Sequence, residues 1–371
     1  MHVNRVTIGA IQFRVSSHPY RVKGYVRTFL EDNAVVHTTP RRPATIYDVA
    51  EAAGVSKSLV SLVLRGSPKV SDVRRTAVLE AMEQLDYRPS QAASSLAGAT
   101  TRTIGVILDD FRNLWFVELL RGLQEGLAPH ELRIAVADRT LNAHVQDSPL
   151  DGFLSMRVDG LVIATEPTES MRVPPGLPVV VAGNRQRVVP GADVAANDDR
   201  HGGRLATEHL LGLGHRQIGH LTGAGGAARL RAEGYEEAMT SAGLKPRIIV
   251  GGGATTEEDG YLGAVRLLGE VPETTAVFAA NDTMAMGALA AARERGLVVP
   301  EDLSVIGYDD SPIASTHLLQ LTTVDGRNSD VGAAVAAQLV DRLTDPRRAP
   351  RTEFVTPRVI QRSTCAPPRN H

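Results

Sequence analysis

Residues 44–98 form the first segment with a clear pattern, in which apolar positions recur at the spacing of short α-helices. The first predicted helix begins after Thr45, which has capping-box spacing with Asp48, and ends at Gly54. Its apolar stripe consists of Ile46, Val49, Ala50 and Ala53. A second helix of about two turns, Lys57–Leu64, is predicted after a cap at Ser56.

Two more short helices complete this region. The third follows a cap at Ser71, and its buried side is expected to consist of Val73, Ala77, Leu79, Leu85 and neighbouring apolar residues. A break at Tyr87-Arg88-Pro89 separates it from a last helix, Gln91–Ala97, which Ser90 caps and Gly98 stops. The pattern therefore predicts a small all-α head.

From Thr103 onward the pattern changes to alternating strands and helices. The predicted strands are Ile104–Leu108, Leu132–Ala137, Leu161–Ala164, Val179–Ala182, Ile218–Leu221, Ile248–Val250, Ala276–Ala280 and Val305–Tyr308. The predicted helices between them include Phe116–Ala128, Leu205–Leu213, Leu230–Ala242 and Met284–Arg295. Such alternation indicates right-handed βαβ units with parallel sheets. The segment is long for one sheet, so we expect a two-lobed α/β domain over residues 103–364 and a tail over 365–371.

Composition narrows the class of protein. A chain of 371 residues is too long for one ordinary domain. No apolar run approaches the roughly 20 residues of a membrane helix, and Arg5, Arg14 and Arg21 interrupt any signal-peptide core. The single cysteine, Cys365, excludes an intramolecular disulfide and a cysteine-based zinc cluster. We therefore expect a cytoplasmic protein without a membrane partner.

The charge is distributed unevenly between the two parts of the chain. Residues 1–98 carry 13 Lys and Arg against 8 Asp and Glu, whereas the whole chain has a net charge of −2. A basic head on an acidic body suggests that only the head meets a polyanion, although such an excess also arises by chance. Residues 1–43 show no clean period, and we expect them to form a disordered basic extension.

The first two helices and the turn between them form a helix-turn-helix pattern. Gly54 permits the sharp turn and Val55 fills the small core. The second helix then presents Lys57, Ser58 and Ser61, small or basic side chains that reach base edges in the major groove. A helical cap is the alternative, but the turn, the polar helix and the basic charge favour DNA binding.

The motifs resemble those of the lactose-repressor (LacI/GalR) family. They are Thr45-Ile46-Tyr47-Asp48-Val49-Ala50-Glu51-Ala52-Ala53-Gly54-Val55-Ser56, Val60-Ser61-x-Val63-Leu64, Leu85-Asp86-Tyr87-Arg88-Pro89 and Ser95-Leu96-Ala97-Gly98. The resemblance runs from Thr45 to near the C-terminus. It implies a helix-turn-helix domain over 44–89, a hinge helix over 90–98, and a sensor domain that resembles periplasmic sugar-binding proteins and whose chain crosses between lobes near Ala196, Val324 and Phe354.

The resemblance also implies roles in binding operator DNA as a homodimer. Lys57 and Ser58 match base-reading positions, Ser61 lies at the next contact turn, and Leu96 matches a leucine wedged into the minor groove. Positions that match phosphate contacts are Thr45, Tyr47, Ser56, Ser71 and Arg74. Leu62 departs from the lactose repressor, which has a base-reading arginine there, so the choice of operator bases stays open.

Polar residues follow several predicted strands of the sensor. Asn281-Asp282, Asp309-Asp310 and Asp109-Asp110 each stand at the carboxyl end of a strand, where open α/β sheets bind ligands. Such groups suit the hydroxyls of a sugar or nucleoside-like ligand. Helix capping explains Asn281-Asp282 equally well, and the residues alone do not separate the two interpretations.

The resemblance implies a small-molecule effector bound by this part of the chain. Arg231, Asn281 and Asp309 match effector contacts, and Asn197 and Trp115 match positions in the wall of the pocket. The lactose repressor has an aspartate after its fourth strand, where this chain has Gly183 and Asn184. That difference argues against a lactose-like ligand and leaves a sugar-like effector of unspecified identity.

Enzyme alternatives fit the sequence less well. The glycine-rich segment Thr222–Ala228 imitates a dinucleotide fingerprint, but the next strand, Ile248–Val250, ends in glycines and not in the acidic residue that would hold a ribose. There is no nucleophile elbow and no P-loop. His201, His209, His215 and His220 lack metal-site spacing. We therefore expect neither an enzyme nor a cofactor or metal.

Overall fold

A computed structural model describes residues 42, 44–64, 66–87, 100–141, 148–169, 171–187 and 189–369. They fall into two compact units, residues 42–87 and residues 100–369. The predicted hinge helix with Leu96, and the predicted extension apart from Arg42, lie outside the described residues. No helix in the described ranges is long and apolar enough to cross a membrane.

The N-terminal unit consists of α1 (Ile46–Ala52), α2 (Lys57–Leu64) and α3 (Asp72–Gln84). The predicted capping box is present, because Thr45 and Asp48 each accept a hydrogen bond from the other's backbone N–H. Gly54 has φ +63°, the left-handed conformation that this turn requires. The small core contains Val49, Ala50, Val60, Val63, Val70, Val78, Ala81 and Tyr87.

The predicted buried side of α3 is wrong for Val73, Leu79 and Leu85, whereas Ala77 is half-buried. Val73 is 82% exposed and Leu79 is 50% exposed, whereas Val78 and Ala81 are buried. Leu85 follows the end of the helix and is also exposed. Because only one narrow stripe of α3 faces the two shorter helices, apolar residues on the other side of the helix stay in solvent. Ser71 precedes the helix as predicted, but its side chain makes no capping hydrogen bond.

The second unit alternates strands and helices along the chain. Its strands are β1 (Thr103–Leu108), β2 (Arg133–Asp138), β3 (Gly160–Ala164), β4 (Val179–Ala182), β5 (Asp193–Asn197), β6 (Ile218–Thr222), β7 (Ile248–Val250), β8 (Ala276–Ala279), β9 (Ser304–Tyr308), β10 (Thr322–Asp325), β11 (Thr352–Val355) and β12 (Arg358–Ile360). Its α-helices are α4 (Trp115–Leu127), α5 (Pro149–Met156), α6 (Asp199–Gly212), α7 (Gly226–Ser241), α8 (Glu257–Glu270), α9 (Asp282–Glu294) and α10 (Asn328–Thr344).

These strands form two sheets, as the two-lobed prediction requires. The sheet of lobe 1 has the order β11-β5-β4-β3-β1-β2, and the sheet of lobe 2 has the order β12-β10-β9-β8-β6-β7. Neighbouring strands are parallel except for β10 and β12, which are antiparallel. Apolar clusters pack on both faces of each sheet, so each lobe is a three-layer α/β structure.

The chain passes between the lobes three times. It leaves lobe 1 after β5, returns between β10 and α10, and leaves again between β11 and β12. The predicted crossings near Ala196, Val324 and Phe354 are confirmed. Helix α10 therefore belongs to lobe 1, where it packs against α4 so closely that a Cβ on Gly122 would lie 1.9 Å from the Ser329 carbonyl oxygen.

Candidate functional site

The exposed side of α2 presents the residues that the sequence assigns to base reading. Lys57 and Ser58 are exposed, and the Lys57 ammonium lies 3.1 Å from the Tyr47 hydroxyl and 4.7 Å from the centre of its ring. The structure thus brings together a predicted base contact and a predicted phosphate contact. Ser61, one turn further along, is half-buried.

The other predicted phosphate contacts lie at helix starts or on α3. The Thr45 hydroxyl donates to Asp48 over 2.7 Å, and Ser56 accepts a hydrogen bond from the Leu59 N–H over 3.3 Å. Ser71 and Arg74 are exposed near the beginning of α3. Helix N-termini and exposed basic side chains favour phosphate groups, so these positions are compatible with the predicted contacts.

Two residues in this unit have structural roles that the sequence did not reveal. The Arg75 guanidinium donates to the Ser67 carbonyl over 2.7 Å and fastens the preceding turn to α3. Leu62, which departs from the lactose repressor, is half-buried against the core of the unit. Its side chain therefore contributes to packing as well as to the surface of α2.

The second unit contains a cavity of about 670 Å³ between its lobes. The loops at the carboxyl ends of strands from both sheets line it, in the position expected for a ligand site in open α/β sheets. All five predicted effector residues lie in the lining: Trp115, Asn197, Arg231, Asn281 and Asp309. A cavity of this volume accommodates a small molecule.

Arg231 is the central charged group of the lobe 2 side of the cleft. Its Nε atom lies 2.8 Å from Asp199 and its Nη2 atom lies 3.2 Å from Asp309. Its Nη1 atom donates to the Ala280 carbonyl over 2.6 Å, and the guanidinium stacks 3.5 Å from the Tyr308 ring centre. Burial opposes the charge, but the two carboxylates outweigh it and raise the pKa of Arg231.

Asp309 shares that single arginine with a second carboxylate. It is buried and has φ +102°, a left-handed conformation that aspartate adopts rarely. Burial, the largest effect, raises the pKa of Asp309 to about 7, and the Arg231 charge only partly offsets it. This carboxyl group therefore titrates near neutral pH in the wall of the cleft.

Asn281 caps a helix and lines the cleft at the same time. Its Oδ1 accepts the Met284 N–H over 2.8 Å, and its Nδ2 donates to the Thr255 carbonyl over 3.1 Å. The neighbouring Asp282 accepts hydrogen bonds from Ser311 and Thr323, and burial raises its pKa to about 6. The capping interpretation is therefore realised, and it leaves Asn281 in the cavity wall.

Trp115 and Asn197 connect the cleft to the crossings. The Trp115 indole N–H donates to Asn197 Oδ1 over 3.3 Å, and the Asn197 amide donates to the Gly326 carbonyl and to Asn328, the latter over 3.1 Å. Asn328 donates in turn to the Asp309 carbonyl over 2.8 Å. A buried chain of hydrogen bonds thus joins both lobes through two crossings. Asn328 stands in none of the motifs that marked the predicted site residues.

Further residues of lobe 1 line the cleft and were not predicted as contacts. Those that follow β3 or β4 and have polar side chains are Glu166, Asn184 and Arg185. The Asn184 amide donates to Asp199 of lobe 2 over 2.7 Å, and the Arg185 guanidinium lies 5.8 Å from the Trp115 ring centre. All three follow strands β3 or β4, so the strand-end rule that selected Asp309 would also have selected them.

Comparison with known proteins gives matches to both units. Residues 45–90 match the model of bacterial regulatory proteins of the lacI family, and residues 207–365 match that of the periplasmic binding protein-like domain. The HTH-type transcriptional repressor PurR of Edwardsiella ictaluri is 34% identical over 333 residues, which is 87% of this chain and 97% of that protein.

Two solved structures are also similar. The lac repressor dimer bound to operator and the anti-inducer ONPF has 27% identity and a TM-score of 0.72, over 88% of this chain and 100% of that chain. The complex of the transcriptional regulator CelR with cellobiose has 29% identity and a TM-score of 0.62, over 86% of this chain and 99% of that chain.

Proposed function

Because this chain belongs to the lacI family of bacterial regulatory proteins, we propose that it represses transcription as a homodimer on a pseudo-palindromic operator. A small sugar-like metabolite in the interlobe cleft controls it. The protein acts in the cytoplasm by binding, without an enzymatic reaction and without a cofactor. The PurR relative is a repressor, and the lac repressor neighbour is a dimer on its operator, which supports this proposal.

The arginine cluster in the cleft carries the effector part of the proposal. Arg231 supplies forked donors, and Asp309 and Asn281 supply acceptors at the edge of the same cavity. Adjacent hydroxyls of a sugar pair with such groups as donors and acceptors at once, and the Trp115 ring offers an apolar face. The cellobiose complex of CelR supports this class of ligand.

The exposed side of α2 carries the DNA part of the proposal. Lys57, Ser58 and Ser61 would read base edges, and Leu96 would enter the minor groove. The proposed phosphate contacts are Thr45, Tyr47, Ser56, Ser71 and Arg74. One head makes too few base contacts for specificity, so two symmetry-related heads would bind half-sites about one helical turn apart.

The division of labour along the chain is part of the proposal. Residues 44–89 bind DNA, residues 90–98 form the hinge helix, and residues 103–364 bind the effector and form the dimer, with 365–371 as a tail. An isolated hinge of this length is too short to be a stable helix. We propose that it folds only when the paired heads and DNA support it, which makes it the bistable element.

The glycine-rich segment after β6 supports a binding protein over a dinucleotide-dependent enzyme. A Cβ on Gly223 would lie 2.1 Å from the Ala254 carbonyl oxygen, and one on Gly226 would lie 2.7 Å from the Asn184 carbonyl oxygen. Close contacts of the chain with itself therefore account for these two glycines, with no need for a pyrophosphate.

A thermal-shift screen against sugars, sugar phosphates and nucleosides tests the effector class. A ligand at a hundredfold excess over its dissociation constant stabilises the protein by about 2.7 kcal/mol. A sugar that shifts the melting temperature should also change operator affinity. A nucleoside as the sole hit would overturn the sugar assignment, and a monomer bound tightly to the operator in sedimentation would overturn the homodimer.

A further inference from the structure

One carboxylate spans the cleft between the lobes. Glu166 follows β3 in lobe 1, and its Oε1 accepts the backbone N–H of Gly226, the first residue of α7 in lobe 2, over 3.0 Å. Its Oε2 accepts the Gln186 N–H of lobe 1 over 2.9 Å. The second hydrogen bond fixes the carboxylate in its own lobe, so it reaches α7 from a defined position.

The start of α7 lacks a cap of its own. The residue at the N-cap position is Gly225, which has no side chain to accept a hydrogen bond. The first N–H groups of a helix need acceptors, and the positive end of the helix dipole favours a carboxylate. Glu166 supplies both from the opposite lobe, so this helix start is completed only when the lobes are close.

The same contact requires glycine at position 226. A Cβ there would lie 2.7 Å from the Asn184 carbonyl oxygen and 2.9 Å from the Arg185 Cα. Both atoms are backbone atoms of lobe 1, which do not yield as a flexible side chain would. Any other residue at 226 would hold the lobes further apart. The close approach of the two lobes thus explains the glycine at position 226.

Helix α7 also carries the central residue of the effector site. Arg231 lies on α7 and contacts Asp199, and Asp199 accepts the Asn184 amide of lobe 1 over 2.7 Å. The contact between Glu166 and Gly226 therefore fixes the edge of the helix that positions Arg231. A change in lobe spacing at this edge moves the arginine relative to lobe 1.

We propose that Glu166 and Gly226 form a latch that holds the two lobes at close spacing, with Glu166 as a positioning residue. Release of this hydrogen bond is then part of the opening of the cleft. A role of the latch in regulation rests on the proposed function, because opening of the cleft controls DNA binding only if the cleft binds an effector. The effect of the latch on lobe spacing does not depend on that function.

Single-molecule energy transfer within the full chain tests the latch. Dyes are placed on cysteines introduced at the exposed positions Arg172 of lobe 1 and Glu258 of lobe 2, while the native Cys365 is buried and poorly accessible to labelling. Labelled chain is diluted into unlabelled chain so that transfer occurs within one protomer. We expect wild type to be mainly in the high-transfer state, in which the lobes are close. Glu166→Ala should lower the ratio of the high-transfer to the low-transfer population about tenfold, which corresponds to about 1.4 kcal/mol.

Two further variants separate the latch from a loss of folding. Glu169→Ala is the matched control, because Glu169 lies on the same segment but pairs with Arg187 of its own lobe over 2.9 Å, and it should leave the ratio unchanged. Gly226→Ala keeps Glu166 and should shift the ratio in the same direction as Glu166→Ala. Ratios equal to wild type in both Glu166→Ala and Gly226→Ala, or an equal shift in Glu169→Ala, overturn the latch.

The latch and the proposed control by an effector can be rejected separately. The transfer ratio is measured without DNA and without effector, so a latch that opens as expected survives even if no sugar binds. Operator affinity of the same variants is measured on the unlabelled protein. An unchanged transfer ratio with normal effector control of operator binding would reject the latch alone.

Discussion

The Oδ1 atom of Asp309 lies 3.2 Å from the Nη2 atom of Arg231, and both side chains are almost completely buried. The same guanidinium also pairs with Asp199. Two carboxylates therefore share one cation in the wall of the cleft, and the charge of one of them is incompletely compensated.

This arrangement predicts a pH-dependent stability. The pKa of Asp309 is raised from 3.8 to about 7, mainly by burial. The stability that this group contributes is full below pH 3.8 and is lost as the pH rises through about 7. Asp309→Asn imitates the neutral form at every pH. The difference between its free energy of unfolding in urea and that of wild type should therefore rise by a few kcal/mol from pH 4.5 to pH 8, at about 1.4 kcal/mol per pKa unit. Asp302→Asn, which removes a carboxylate paired with Arg369 at the surface, should show no such trend.

Replacing the central arginine should abolish the response to effector. Arg231→Lys keeps the positive charge beside Asp199 but loses the forked donors, so effector should no longer change operator affinity, while affinity without effector stays within about twofold. Arg231→Ala is a poorer test, because a buried carboxylate without its partner costs about 3–5 kcal/mol. Arg229→Lys, an exposed position on the same helix that pairs with Glu233, should respond normally in operator titrations.

Substitutions on α2 should alter which sequences are bound. Lys57→Ala and Ser58→Ala should change the preferred operator in a selection from random DNA, because their exposed side chains are placed to reach base edges. Lys57→Ala also removes the hydrogen bond with Tyr47. Tyr47→Phe removes the same hydrogen bond together with a proposed phosphate contact, so it should weaken binding without changing the preferred sequence. Unchanged preferences in both base-contact variants would remove α2 from the reading of bases.

Two adjacent arginines should behave differently. Arg74 is exposed, and Arg74→Ala should weaken binding to all sequences alike and reduce the slope of log affinity against log salt by about one. Arg75 donates to the Ser67 carbonyl, so Arg75→Ala should lower the stability of the N-terminal unit by about 0.5–1.5 kcal/mol. Its salt slope should stay near that of wild type. Equal slopes for Arg74→Ala and wild type would rule out the phosphate contact.

Replacement of the predicted hinge leucine, Leu96, should change the bending of the operator. Leu96→Ala should lower specific affinity and reduce the bend of the operator, because a wedge that unstacks bases kinks the duplex. Non-specific binding should be spared, since it depends on phosphate contacts. Gel mobility of circularly permuted operator fragments measures the bend, and a normal bend with Leu96→Ala would show that another residue forms the wedge.

The sequence predicted the architecture because strong periodic signals carry it. Every predicted strand is present within one or two residues of its predicted bounds. The strands that were missed, β5, β10, β11 and β12, lie at or beside the crossings between lobes. Their sequences contain polar residues such as Asn197 and Asp325, which belong to the crossings and weaken an apolar run.

The cleft was predicted in part, for a different reason. Asp309 and Asn281 follow apolar strands, and this position marks them as candidates, but the family resemblance was needed to choose an effector contact over a helix cap. Glu166 follows β3, so the same strand-end rule applied to every strand would have found it. Its contact with Gly226 and the contact of Asn328 with Asn197 join residues far apart in the chain, and no sequence pattern marks them. The buried side of α3 was misjudged because apolar composition does not show which face of a short helix has a neighbour.

The three crossings between lobes also determine the order in which the protein can be completed during synthesis. Lobe 1 requires α10 and β11, which leave the ribosome only after most of lobe 2 has been made. Until then the side of α4 around Gly122, which packs against α10 in the finished protein, lacks that partner. Lobe 2, whose strands β6–β10 are contiguous in the chain, can assemble its sheet first. That face of α4 therefore stays without α10 while about two hundred residues are translated, which takes roughly tens of seconds, and exposed apolar surface favours aggregation during this time.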